Sequence, residues 1–168
     1  MAKLVIVKGD PVTGKDKHAV AGFGPNPSPP PQELKYAGTA DFAYIGTISA
    51  RLSDFVSING TPVALVTSQS SLNAGETVMG GKHYGPAGDN YKADPASPAL
   101  EPTKDARLEI KDGLDPGVPN SGAGSQLLTI GGVKVLLDAD KLDTCGSKHQ
   151  SANSSVAAQG QDFVRCGS

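Results

Sequence analysis

The chain has 168 residues, of which 38% are apolar and 5% aromatic, with no Trp, a net charge of −2 and two cysteines. That length supports one domain with a modest core. The near-neutral charge excludes the basic footprint of a nucleic-acid binder, and no apolar run nears the roughly 20 residues that a bilayer-spanning helix needs. Glycine (21) and proline (13) favour many turns over long helices.

Taken in chain order, Lys3–Lys8 form a short β-branched run ended by Gly9-Asp10-Pro11, a strand and a turn. Residues 21–35 hold five prolines and are expected to be an extended loop or linker outside any sheet interior. Residues 42–58 fit one or two strands, Asn59-Gly60 is a strong hairpin signal, and Thr61–Val66 is the return strand. Residues 84–125 are the least regular, with one strand expected at Ala106–Ile110 and loop elsewhere, of a length that is often functional or interface-forming. Residues 127–137 are a second hairpin around Gly131-Gly132. No segment has the 3–4 spacing and caps of a helix. After Met1-Ala2-Lys3 there is no long apolar stretch or small-residue cleavage site, so the expectation is synthesis in the cytoplasm without a signal peptide.

The two hairpins share a register. Phe55, Val56 and Ile58 fall on Leu127, Leu128 and Ile130; Val63 and Leu65 fall on Val135 and Leu137. Phe163, Val164 and Cys166 repeat the first half of the unit, and Val5 and Val7 repeat the second half. A unit split across the two ends closes three hairpins into a ring if those ends lie side by side, with few free edges. The expected architecture is an all-β, three-fold pseudo-symmetric cone over residues 1–168, a single domain with irregular insertions at about 21–40 and 84–125.

Each return strand then leads into a polar segment, expected to be turn-rich, that carries one histidine: His18, His83 or His149. Cys145 lies four residues before His149. Closing the ring brings these segments to one end of the molecule. Three imidazoles and a thiolate are a closed tetrahedral set for one structural Zn²⁺, and Fe²⁺ or Ni²⁺ also accept imidazole. Cys166 falls on Ile58 and Ile130 and is read as a small core residue, with a Cys145–Cys166 disulfide as the competing account. Asp138, Asp140 and Asp143 alternate loosely, as a Ca²⁺ site or a solvated edge.

These residues carry a family resemblance. Asn59-Gly60-Thr61-Pro62-Val63-Ala64-Leu65-Val66 resembles the signature segment of PAAR-repeat proteins, and Gly9-Asp10-Pro11 followed by His18 resembles their opening. Two departures stand out: Leu65 replaces the signature arginine, and Val133-Lys134-Val135 lacks the proline. The resemblance covers the three units and leaves out 21–40 and 84–125. It implies a bare, metal-pinned, non-enzymatic tip, with no fused effector after residue 168. Such a tip sits on the blunt end of a trimeric spike protein, VgrG-like or of a phage tail, in a contractile injection system such as type VI secretion. The implied protein is a monomer on a trimer, touches the target membrane transiently, and is delivered outside the cell on the particle. Two other readings stand beside it. One is a small metal-dependent hydrolase with an open coordination position; the other is a secreted β-rich binding module with a disulfide.

Overall fold

A computed structural model describes residues 2–26, 28, 30–72, 89–97, 107–112, 115–145 and 151–167. The protein is all-β, and no α-helix occurs among the described residues. Three short hairpins form its base. The first pairs β4 (Ser57–Ile58) with β5 (Thr61–Pro62), and the second pairs β10 (Thr129–Ile130) with β11 (Val133–Lys134). The third joins the two ends of the chain: β1 (Lys3–Leu4) pairs with β14 (Arg165–Cys166). The turn residues explain the tight reversals. Asn59 and Gly60 take φ of 51° and 78°, and Gly131 and Gly132 take 58° and 80°. Two successive left-handed residues make the turn whose twist matches antiparallel strands.

The three return segments then bond in a closed cycle. Ile6 N donates to Leu136 O at 3.0 Å, Leu136 N to Ala64 O at 3.0 Å, and Ala64 N to Ile6 O at 2.9 Å. Alternation sends Ile6, Ala64 and Leu136 to one side of this ring, and Val5, Val7, Val63, Leu65, Val135 and Leu137 to the other, all of them buried. Each return segment ends in a four-residue turn closed by its last side chain. Asp10 Oδ2 accepts Val7 N–H at 2.8 Å, Ser68 Oγ accepts Leu65 N–H at 2.9 Å, and Asp140 Oδ2 accepts Leu137 N–H at 2.8 Å.

Beyond these turns the chain enters a larger sheet. The segments after the return strands, expected to be turn-rich, instead open as strands: β2 (Pro11–Pro25), β6 (Gln69–Leu72) and β12 (Lys141–Asp143). Inward residues at every second position, such as Val12, Ser70 and Leu142, explain the difference. With β3 (Glu33–Ala50), β9 (Val118–Pro119) and β13 (Ser154–Val156) the order is β6-β3-β2-β13-β12-β9. Ser70 and Gly117 exchange backbone hydrogen bonds of 2.8 and 3.1 Å, returning the path to β6. Ile6, Val12, Tyr44, Ile48, Leu136, Leu142 and Val156 belong to the core that this girdle encloses.

Residues 21–35 also depart from expectation. Strands β2 and β3 pair continuously from Pro11↔Thr47 to Pro25↔Glu33, so only residues 26–32 connect them. The prolines fall in that connection, apart from Pro11 and Pro25 at the two ends of β2, where a missing N–H is tolerated. Two strands of the 84–125 stretch flank the long hairpin: β7 (Asp89–Ala93) beside β3, and β8 (Arg107–Ile110) beside β2. They help to bury a second core of Val20, Tyr36, Ala40, Phe42, Leu108 and Ile110.

Candidate metal centre

Asp16 and His18 lie two apart on β2, so their side chains share its inner face. Both are 1% exposed. Cys145 arrives from the segment after β12 at a φ of 51°, a left-handed conformation that costs a non-glycine residue roughly 1–2 kcal/mol. Its thiol donates to Asp16 Oδ2 at 2.7 Å, and His18 Nε2 lies 3.9 Å from the same oxygen. One ligand atom from each of the three residues lies within 4.8 Å of the others. Ligands bound at about 2.0–2.3 Å in a tetrahedron are roughly 3.3–3.7 Å apart, so this O, N, S set fits a borderline-soft cation such as Zn²⁺ after small adjustments.

The surroundings hold Asp16 firmly. Its Oδ1 accepts Asn153 Nδ2–H at 2.7 Å and the Thr144 hydroxyl, which also bonds to Ser154 Oγ at 2.7 Å. Burial, reinforced by the hydrogen bond to the Asp16 carboxylate, pushes the Cys145 thiol far above the usual range. Without a cation the sulfur therefore keeps its proton, and metal uptake must displace it. On the other side of the cluster, His18 meets Phe42 edge to face, with ring centroids 5.7 Å apart.

Of the expected ligands, His18 and Cys145 thus come together, while His83 and His149 lie outside the described residues. The repeat, keyed on histidines, passed over Asp16. The Asp-x-His alternation marks it only once residues 11–25 are known to be a strand. The expectation that the site occupies one end of the molecule is corrected. Strand β2 continues from His18 to Pro25, about 23 Å further at roughly 3.3 Å per residue. The cluster therefore sits between the girdle core, which includes Cys145, and the second core, which includes Phe42.

Other polar groups have structural partners. Cys145 and Cys166 are both free thiols, which removes the disulfide account; Cys166 Sγ lies 3.2 Å from Ser125 Oγ. Asp138 accepts Ala158 N–H, Asp140 accepts Gly124 and Leu137 N–H, and Asp143 accepts Ala152 N–H and the Asn120 side-chain Nδ2–H, so each of these acids holds a backbone N–H. A cleft of about 160 Å³ beside Cys145 is lined in part by Tyr44, Ser70 and Asp115. Burial pushes the Tyr44 phenol up to about 12, so it stays protonated at neutral pH and is no base there. Searches against family models, curated proteins and solved structures return no match for this chain.

Proposed function

We propose that the protein is a non-enzymatic, metal-stabilised tip that caps the trimeric central spike of a contractile injection system. The observation that carries this reading is a set of exposed apolar side chains at register-equivalent positions of the hairpin ring. Phe55, Leu127 and Phe163 are 75%, 76% and 56% exposed, each one residue before the segment that bonds the return strand. Two of them reach toward a neighbouring hairpin's end: Phe55 Cζ would lie 3.8 Å from a Cβ on Gly131, and Leu127 Cδ1 3.3 Å from one on Gly167. Three exposed large hydrophobics repeated around a ring match a partner that offers three equivalent apolar sites, as the blunt end of a trimer does.

In this arrangement the hairpin ends face the spike, and the long β2–β3 hairpin leads toward the target membrane. The metal centre ties β2 to the segment after β12 at mid-height, where cation binding becomes folding energy. Zn²⁺ suits the donor set best, with Fe²⁺ as the alternative. The protein is made in the cytoplasm and leaves on the particle.

The test is a mixing experiment with a trimeric VgrG-like or phage spike protein from the same genome, followed by mass measurement of the complex. One copy per trimer is expected. The triple variant Phe55→Asp, Leu127→Asp, Phe163→Asp should weaken binding at least 100-fold while keeping its metal content and circular dichroism. Failure of the wild-type chain to bind any spike, or equal binding by the triple variant, overturns the proposal.

A further inference from the structure

Asp112 lies two residues past the end of β8, in the stretch whose sequence is least regular, and it reaches the candidate centre from behind. Its Oδ1 lies 3.1 Å from His18 Nδ1, and its Oδ2 accepts Ala19 N–H at 3.2 Å. The side chain is 7% exposed. Backbone geometry delivers it there: β8 pairs with β2 from Phe23 to Val20, and Lys111 N donates to Ala19 O at 2.9 Å, one residue before Asp112.

An ionised carboxylate can only accept, so the imidazole facing it carries its proton on Nδ1. The lone pair of the neutral ring is then on Nε2, the atom on the Asp16 side of the ring. A carboxylate behind a ligating histidine fixes the ring's orientation, selects its tautomer and makes the coordinating nitrogen more basic. We propose that Asp112 is a positioning residue of the metal centre, and that through it metal binding clamps β8 onto the long hairpin. The inference rests on the metal reading above and assigns a role to part of the 84–125 stretch. The coupling is reciprocal: a cation at the centre holds β8, and a docked β8 raises affinity for the cation.

The experiment uses the full chain as wild type, Asp112→Asn, Asp112→Glu and His18→Ala, each prepared metal-free. Zn²⁺ affinity is read by competition with a chromogenic chelator, Co²⁺ coordination by its visible spectrum, and the state of β8 by hydrogen exchange of residues 107–112. The wild type should bind about one equivalent, and His18→Ala should lose it. Asp112→Asn should bind roughly 10–100-fold more weakly, with a changed cobalt ligand-field spectrum and retained sulfur-to-cobalt absorption. Asp112→Glu should recover part of the affinity. Added Zn²⁺ should slow exchange in residues 107–112 of the wild type and leave Asp112→Asn unchanged. Wild-type affinity and an unaltered cobalt spectrum in Asp112→Asn, including in a variant that is merely less stable, overturn the positioning role while leaving the metal reading intact. No uptake of either ion by the wild-type protein defeats the metal reading and this inference with it.

Discussion

The three turns that follow the ring use the same device with unequal loads. Asp10 is 1% exposed and accepts backbone N–H groups from Val7, Gln159 and Gly160. Ser68 Oγ accepts one amide, from Leu65, and donates to Arg51 O. Asp140 accepts two amides, and water can partly replace it. A buried amide left without an acceptor costs about 1–3 kcal/mol. Asp10→Ala should therefore cost at least 3 kcal/mol, and Ser68→Ala and Asp140→Ala about 1–2 kcal/mol each. Urea unfolding under one fixed metal condition checks the order, and equal costs at the three positions would show that amide satisfaction does not set it. These caps were legible only as polar residues after a strand, because a capping role depends on which amides converge on the oxygen. The pairing of His18 with Cys145 was readable from the repeat. Asp16 and Asp112 were not, since one requires knowing the strand and the other a contact across 94 residues.

At the level of elements, the protein has two cores that the long hairpin joins. The distal core depends on Tyr36, which is 3% exposed, packs with Val20, Phe42, Leu108 and Ile110, and donates its hydroxyl to Pro25 O at 2.8 Å. Removing a large buried aromatic side chain costs roughly 3–5 kcal/mol. Tyr36→Ala should open β7, β8 and the distal halves of β2 and β3 while β12 and β13 keep their protection, because the girdle has its own core. Hydrogen exchange by strand decides this; a uniform rise across all strands would mean that the two cores unfold as one unit. Proline content hid the hairpin in the sequence. Five prolines in 15 residues read as a loop, yet every second position of β3 is buried without a break from Tyr36 to Ile48. The strand expected at Ala106–Ile110 is β8, Arg107–Ile110, which is held by its pairing with β2 across the sheet more than by local propensity.

At the scale of the whole molecule, the decisive feature is that one hairpin has no turn. Cys166 pairs with Lys3 as Ile58 pairs with Thr61, and Arg165 pairs with Leu4 as Ser57 pairs with Pro62. Val164 O accepts Val5 N–H at 3.0 Å, as Val56 O accepts Val63 N–H at 3.1 Å. The shared register of apolar positions made this closure readable, since a one-residue slip would have reversed every side chain. The ladder leaves room for a two-residue turn between Cys166 and Lys3. A circular permutant that links Cys166 to Lys3 through Asn-Gly and opens the chain between Asn59 and Gly60 should therefore keep the ring. Closing one hairpin offsets opening another, and loop-closure terms change slowly with length, so stability should stay within about 1–2 kcal/mol of the parent. Opening between Gly131 and Gly132 should behave alike. Opening between Ala64 and Leu65 cuts a segment of the closed hydrogen-bond cycle, and that permutant should not fold. Circular dichroism and denaturant midpoints separate these outcomes. If the Asn59–Gly60 permutant unfolds while the parent is stable, the split hairpin is not equivalent to the other two, and the ring depends on a single ordered path along the chain.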